Sequence, residues 1–343
     1  MLLKDHQGDS NPPKDTRYEN MHVGRVFQMC LFTTTISFPS AEDSGHIIVT
    51  FKNPHDQSTK TWKIPLQPDT SGLEMLDVNM HQSATKSFHM GASHSEWFSS
   101  CFGYPVVLAY LGKNYRPVLG NIAPNAASRN VQRQQQQQHS NSSTSWLSSI
   151  ASSMPSILGG GSSNMEDEDY NVTFADCSPY LIVSSTSHNN VSGRLPEGQD
   201  MDITKFRPNI IISGAADAFD EDYWSELSIN SSSGASPTKI QLTSNCIRCA
   251  SINVDYDTGT AGTGPAGEVL KKLQSDRRVD KGHKYGPVFG RYGFLSREEI
   301  TYDSTSKTVK IGDEVEVIKR NQERTVFRWP GLGQTPKTEL YPV

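Results

Sequence analysis

Short runs with alternating apolar and polar positions dominate the patterned parts of the chain. His46-Ile47-Ile48-Val49-Thr50-Phe51 and Thr61-Trp62-Lys63-Ile64-Pro65 predict two strands around a polar turn, since a period of two puts successive side chains on opposite faces of a sheet. Asn209-Ile210-Ile211-Ile212-Ser213 predicts a short buried strand. Alternation in Lys307–Ile311 and again in Glu314–Ile318, around Gly312-Asp313, predicts a β-hairpin. Helical spacing is confined to two places. One is Ser95-Glu96-Trp97-Phe98, opened by a capping residue and running towards Phe102; the other is Gly267-Glu268-Val269-Leu270-Lys271-Lys272-Leu273. Many short strands and few helices predict a mainly β, α+β fold built on a barrel-like sheet. There are no internal repeats.

Between 121 and 168 the patterning stops. Gln134–Gln138 is a glutamine run, followed by Ser/Asn-rich sequence, Gly159-Gly160-Gly161 and the start of the acidic cluster Glu166-Asp167-Glu168-Asp169. Such a stretch cannot bury enough apolar surface to offset its ordering entropy, so it predicts a disordered linker. The exception is an apolar patch, Trp146-Leu147 to Ile150 and Ile157-Leu158, with the makings of a short amphipathic helix. The chain divides into an N-terminal β domain (1–120), the linker (121–168), a second β domain (169–320) and a tail (321–343).

Composition removes several functions. A formal net charge of −5 leaves no electrostatic footprint for nucleic acid. Five cysteines at irregular spacing (30, 101, 177, 246 and 249) do not form a secreted disulfide framework, so a reducing compartment with free thiolates is expected. The Asn-x-Ser/Thr triplets at Asn141, Asn171, Asn190 and Asn230 are then chance matches in a Ser-rich chain. No apolar run reaches the roughly 20 residues that cross a bilayer, and charge interrupts Met1–His6 too early for a secretory signal.

The candidate chemistry centres on Cys246-Ile247-Arg248-Cys249. Two cysteines at this spacing can be a redox couple, half of a zinc site, or the source of one thiolate for a soft metal. A zinc site needs two more ligands and the chain has no second Cys-x-x-Cys; a thioredoxin-like couple needs a βαβ setting that this β-rich sequence lacks. By type alone Arg207 and Arg248 read either as surface ion pairs with Asp217 or Glu221 or as phosphate holders, since a guanidinium meets phosphate with two parallel hydrogen bonds. Gly262-Thr263-Gly264-Pro265-Ala266-Gly267 fits the dinucleotide fingerprint, but no βαβ unit surrounds it and no acidic strand end follows. Asp255 and Asp257 predict a turn, Trp224 a core position and Asn209 a turn cap. His81, His89 and His94 are read as solvated loop residues.

Four further motifs flank the pair. Phe174-Ala175-Asp176-Cys177-Ser178-Pro179 and Phe206-Arg207-Pro208-Asn209-Ile210 precede it, Val254-Asp255-Tyr256-Asp257-Thr258-Gly259 follows it, and Tyr285-Gly286 with Phe289-Gly290-Arg291-Tyr292 come last. In this order they resemble the MOSC domain of molybdenum-cofactor proteins, and most closely the mitochondrial amidoxime-reducing components and their fungal relatives, over about residues 15–120 and 169–320. The resemblance implies a MOSC β-barrel after a partial N-terminal MOSC-associated β domain, and a molybdenum–molybdopterin cofactor. It implies that Cys249 is the catalytic metal ligand and Cys246 is not, and that Arg207 and Arg248 face the cofactor. Asp176, Cys177 and Ser178 match an Asp-Thr-Ser that contacts the pterin, with Cys177 replacing Thr as a weaker donor; Tyr292 matches a tyrosine near the cofactor. The implied reaction is two-electron reduction of N-hydroxylated, amidoxime-type compounds by a monomer. Electrons would come from a b-type cytochrome and its reductase, in the cytoplasm or at the mitochondrial outer membrane. The alternatives are sulfur handling of the sulfurase kind, although the sulfurases' pyridoxal-phosphate domain has no counterpart here, and a non-catalytic shortened MOSC protein. The family's opening Lys-Ser strand and Asp-Arg-x-Phe-like segment also lack counterparts. The resemblance therefore implies a shortened start, an unpaired strand edge and a weakened grip on the cofactor's phosphate end.

Overall fold

A computed structural model describes residues 1–7, 17–41, 43–126, 170–231, 236–297 and 308–335. The fold is mainly β, with three α-helices among the described residues. In the N-terminal half, β1 (Leu2–Asp5), β2 (Tyr18–Asn20), β6 (Met75–Met80), β7 (Ser83–His89) and β8 (Val106–Tyr110) form a sheet in the order β2-β1-β8-β7-β6. β1 is paired on both sides, so the open edge expected near the start does not fall on it. β3 (Phe32–Ser37), β4 (His46–Lys52) and β5 (Thr59–Pro65) form a second sheet in that order. β4 and β5 are the two strands the alternation predicts, in register with Val49 opposite Trp62. The helix α1 (Ala92–Phe102) covers this half, burying Phe98 with Val49, Val106 and Leu108. Its cap is Gly91 rather than Ser95, whose hydroxyl turns back to the Gly91 carbonyl at 3.1 Å.

A two-strand ladder, β9 (Arg116–Pro117) with β10 (Asn171–Val172), leads to the second half. There β11 (Tyr180–Ser184), β12 (Ile210–Ile212), β13 (Trp224–Asn230), β14 (Thr238–Ile247), β17 (Val288–Leu295) and β18 (Glu314–Arg320) make one barrel-like sheet, ordered β12-β11-β17-β14-β13-β18. Only β11 and β12 run parallel. Two register shifts in the β14–β17 ladder curl the sheet, as bulges do. α2 (Ser185–Ser192) and α3 (Val269–Gln274) pack against it, and the short ladder of β15 (Val254–Asp255) with β16 (Thr260–Ala261) stands outside it. The core includes Phe206 stacked on Phe289 at 4.0 Å and a fully buried Trp329.

Three expectations change. The strand at 314–320 exists, but its partner is β13, and 308–313 is coil and turn. Val315 and Val317 reach the apolar cluster of Leu227 and Ile229, whereas Val309 and Ile311 stay exposed, so burial overrode local alternation. β12 is an edge strand and leaves Ile211 exposed. Residues at both margins of the patterned regions pack: Ile122 and Ala123, from the stretch read as linker, and Phe327 and Trp329, from the stretch read as tail, all lie in the second core. The Trp146–Leu158 patch lies outside the described residues. Among those described, no helix is long and apolar enough to cross a membrane.

Candidate active site

The end of β14 separates the two cysteines. A register shift between Asn245 and Ile247 releases the chain from the sheet. Cys246 points inward with 3% exposure, and Cys249 emerges exposed at the start of a short 3-10 helix, Ala250–Asn253. Among the described residues the hydrogen-bond partner of the Cys249 Sγ is the Ser251 Oγ, at 3.2 Å. The Cys246 Sγ accepts from Arg248 Nη1 at 3.0 Å and contacts the Tyr292 hydroxyl. Burial pushes the Cys246 thiol up, against the opposing pull of Arg248. Burial also holds Cys177, hydrogen-bonded to the same Tyr292, well above the usual thiol range.

Arg248 is the anchor of this corner. Its Nη2 donates to the Phe206 carbonyl at 2.8 Å and its guanidinium lies 5.3 Å over the Phe206 ring. Its Nε is buried without a partner among the described residues. Such an orphaned donor costs about 1–3 kcal/mol unless something accepts from it. The next residue, Arg207, closes the 3-10 helix Ile203–Phe206 in a left-handed conformation (φ 56°) that turns its exposed side chain outward. Among the described residues no ion pair engages Arg207. Glu221 is fully buried and accepts from the Ser187 hydroxyl at 2.7 Å, so it is no ion-pair partner for Arg207. Tyr256, half-buried, has Lys205 Nζ 5.5 Å over its ring, and Asp255 closes the predicted turn by accepting from Asp257 N at 2.9 Å.

Of the Asp-Cys-Ser triplet, only Asp176 is exposed. Ser178 donates inward to the Gly293 carbonyl at 2.5 Å, and Cys177 is buried, so neither presents an exposed side-chain atom. Tyr292 is likewise only 6% exposed and reaches the site through Cys246. Asp176 keeps 63% of its side-chain surface accessible and takes the His81 ring nitrogen at 2.7 Å. Burial raises its carboxyl, but the His81 hydrogen bond and the charges of His81, Arg207 and Arg248 outweigh that, leaving it below the usual carboxylate range. His22 shows the same combination of solvent access and lost hydration: it is exposed, yet surrounding protein lowers its imidazole, with His81 adding to the effect. Side chains that water reaches while protein surrounds them lie on a concave surface, and these residues bound one shared cleft. Gly24 forms its near wall: a Cβ there would stand 3.6 Å from the Cys249 Sγ and 3.4 Å from the His22 ring.

Residues 169–316 match the MOSC domain. This part of the chain is a MOSC domain. Its relatives include the mitochondrial amidoxime reducing component 2 of Macaca fascicularis, 36% identical over 153 residues that make up 43% of this chain and 40% of that protein. The human mitochondrial amidoxime-reducing component 1 is 34% identical over 151 residues, 43% of this chain and 39% of that one. A molybdenum cofactor sulfurase of rice is 27% identical over 150 residues, 42% of this chain and 16% of that protein. The chain thus spans about two fifths of the length of the amidoxime-reducing components it matches.

The cleft in front of the MOSC domain is walled by the N-terminal half, and those residues escaped the sequence. Arg116, fully buried, donates to the carbonyls of Thr173 (2.9 Å), Asp176 (2.9 Å), Ala175 and Met80 (3.1 Å), so one guanidinium shapes the Asp176 loop. His81 is exposed in a turn, as read, but that turn is the tip of the β6–β7 hairpin and its ring is engaged by Asp176. His89 and His94 are also engaged, accepting from Gly91 N (2.9 Å) and Trp62 Nε1 (2.7 Å). No sequence signal links Arg116 to a loop nearly sixty residues away. The glycines of the dinucleotide-like motif serve close packing: a Cβ on Gly262 would stand 2.2 Å from the Asn253 carbonyl oxygen, and one on Gly267 would stand 2.1 Å from that of Gly262. Asn209 bridges strands, accepting from Leu181 N at 2.8 Å and donating its own N–H to the Leu181 carbonyl at 2.9 Å. Trp224 is core, as read.

Proposed function

We propose that this cleft holds a molybdenum–molybdopterin cofactor with Cys249 as its protein ligand, and that the chain reduces N-hydroxylated, amidoxime-type compounds by two electrons. The observation that carries the reading is the pairing of a solvent-facing thiol with a buried guanidinium whose Nε lacks an acceptor. An exposed thiol can ionise and bind a soft metal, whereas its buried neighbour cannot readily do so. The donor set also fits an anionic cofactor. Arg207 offers a free planar fork to phosphate at the same corner where Arg248 holds the Phe206 carbonyl. Among the described residues no group of three or more His, Cys, Asp or Glu could hold a metal by itself.

When bound, the cofactor would supply the two-electron chemistry that converts an N–OH group, with two protons, into N–H and water. The protein's own share is holding and proton traffic. Arg207 and Arg248 grip the anionic end, Asp176 lines the approach, and Gly24 keeps it open. His22, lowered and therefore largely neutral near pH 7, carries protons between solvent and cleft. Electrons would come from outside, from a b-type cytochrome and its reductase, and the relatives' names favour a mitochondrial setting. The sulfurase likeness, confined to a small part of that protein, supports cofactor association rather than sulfur transfer.

The test is reduction of an aromatic amidoxime to its amidine by the full chain, purified from a host that makes the cofactor, with reduced viologen as donor. Turnover by the wild type and none by Cys249→Ser is the expected result. Equal rates would remove Cys249 from the chemistry.

A further inference from the structure

We propose that His81 is a positioning residue for the cleft: carried on a strained hairpin turn of the N-terminal sheet, its ring fixes one oxygen of Asp176 so that the other faces the bound cofactor. This rests on reading the cleft as a cofactor site. His81 and Gln82 form a two-residue turn between the paired Met80 and Ser83, and both have positive φ, 52° and 70°. Such a turn normally takes Asn-Gly, because a Cβ is strained in this region. The side chain that bears the strain makes a single hydrogen bond, to a carboxylate 63% exposed, from a ring itself 37% exposed. Exposed ion pairs add little stability, so stability does not account for the arrangement.

The mounting on both sides is rigid. The buried Trp329 donates Nε1 to the His81 carbonyl at 2.5 Å, and Ser83 Oγ donates to the Pro117 carbonyl at 2.7 Å. Arg116 binds the Met80 carbonyl on the histidine side and the Thr173, Ala175 and Asp176 carbonyls on the aspartate side. One buried cation therefore sets the backbones of both partners, and a weak exposed contact is held between two fixed supports. With the carboxylate ionised, Nε2 is the donor. The second carboxylate oxygen has no partner among the described residues.

The charged and titratable groups facing Asp176 are His81 from the hairpin, His22 from the N-terminal segment, Arg116 from β9, Arg207 and Arg248 from the anion corner, and Cys177, Cys246 and Tyr292 beneath it. Because the folded carboxyl is depressed, whatever its ionised form contributes is present above the ordinary carboxylate range. It is lost as pH falls through the depressed value. Removing His81 takes away part of the depression and moves that loss to higher pH.

The experiment follows molybdenum per chain, by elemental analysis, after timed incubation of the loaded full-length protein between about pH 3 and pH 7. Wild type is compared with His81→Ala, His81→Gly and His81→Gln, which keeps an N–H donor. The wild type and His81→Gln should retain metal to lower pH than His81→Ala and His81→Gly. His81→Gly should have a Tm equal to or above that of the wild type, since glycine relaxes the turn; a merely structural residue would not separate the two readouts. Coincident retention curves for wild type and His81→Ala would overturn the inference alone, as would metal loss in His81→Gly that only tracks a lowered Tm. A wild-type chain that takes up no molybdenum would overturn the cofactor reading, and the inference with it.

Discussion

At the scale of single residues, the site depends on which thiols face water. Cys249 is exposed, Cys177 and Cys246 are buried, and burial pushes Cys30 up to about 11. Under native conditions at about pH 8, iodoacetamide should therefore modify Cys249 first, with Cys30 slower by at least an order of magnitude, read by peptide mass spectrometry. Gly24→Val adds bulk facing the Cys249 Sγ and His22 without meeting backbone, so it should leave the Tm nearly unchanged and cut both alkylation of Cys249 and molybdenum uptake several-fold. Arg116→Met leaves a set of buried carbonyls without their donor and should cost on the order of 3 kcal/mol in urea unfolding, more than an exposed arginine would. Residue types and spacing marked the Cys-x-x-Cys pair as a candidate site but left its chemistry open among a redox couple, a zinc half-site and a single metal thiolate. Which cysteine emerges was not legible, because a bulge at the end of β14 decides it.

At the scale of elements, alternation identified β4 and β5 because each half-buries against a helix-covered core. It failed at 308–311, where an equally alternating run lost its place to β13 as the partner of β18. The fingerprint-like glycines show how a motif can arise from packing: Gly262 lets the chain pass against the Asn253 carbonyl and Gly267 lets it pass against Gly262. Gly262→Ala should accordingly destabilise the fold by about 1–3 kcal/mol, as overpacking does, measured by thermal melting. A Tm equal to the wild type's would mean that the contact is not tight.

At the scale of the whole molecule, the cleft belongs to both halves. The MOSC domain supplies Asp176, Arg207, Arg248 and Cys249, whose motifs could be read along the chain. The N-terminal half supplies His22, Gly24, His81 and Arg116, which carry no motif and come together only through packing. Phe327 and Trp329 were also hidden, since an isolated aromatic in a short irregular stretch has no period to betray its burial. Truncation before residue 324 removes both and should unfold the second half, whereas deletion of 128–165 should leave the Tm nearly unchanged on compositional grounds.

The central claim, that Cys249 is the protein ligand of a molybdenum cofactor, is tested most directly by molybdenum content. The full chain, Cys249→Ser and Cys246→Ser are purified in parallel from a cofactor-producing host, and metal per folded chain is measured by mass spectrometry. The wild type should approach one molybdenum per chain. Cys249→Ser should lose nearly all of it without unfolding, and Cys246→Ser should keep most, because a hydroxyl can still accept from Arg248 and meet Tyr292. Equal loss in both serine variants, or full occupancy in Cys249→Ser, would contradict the account.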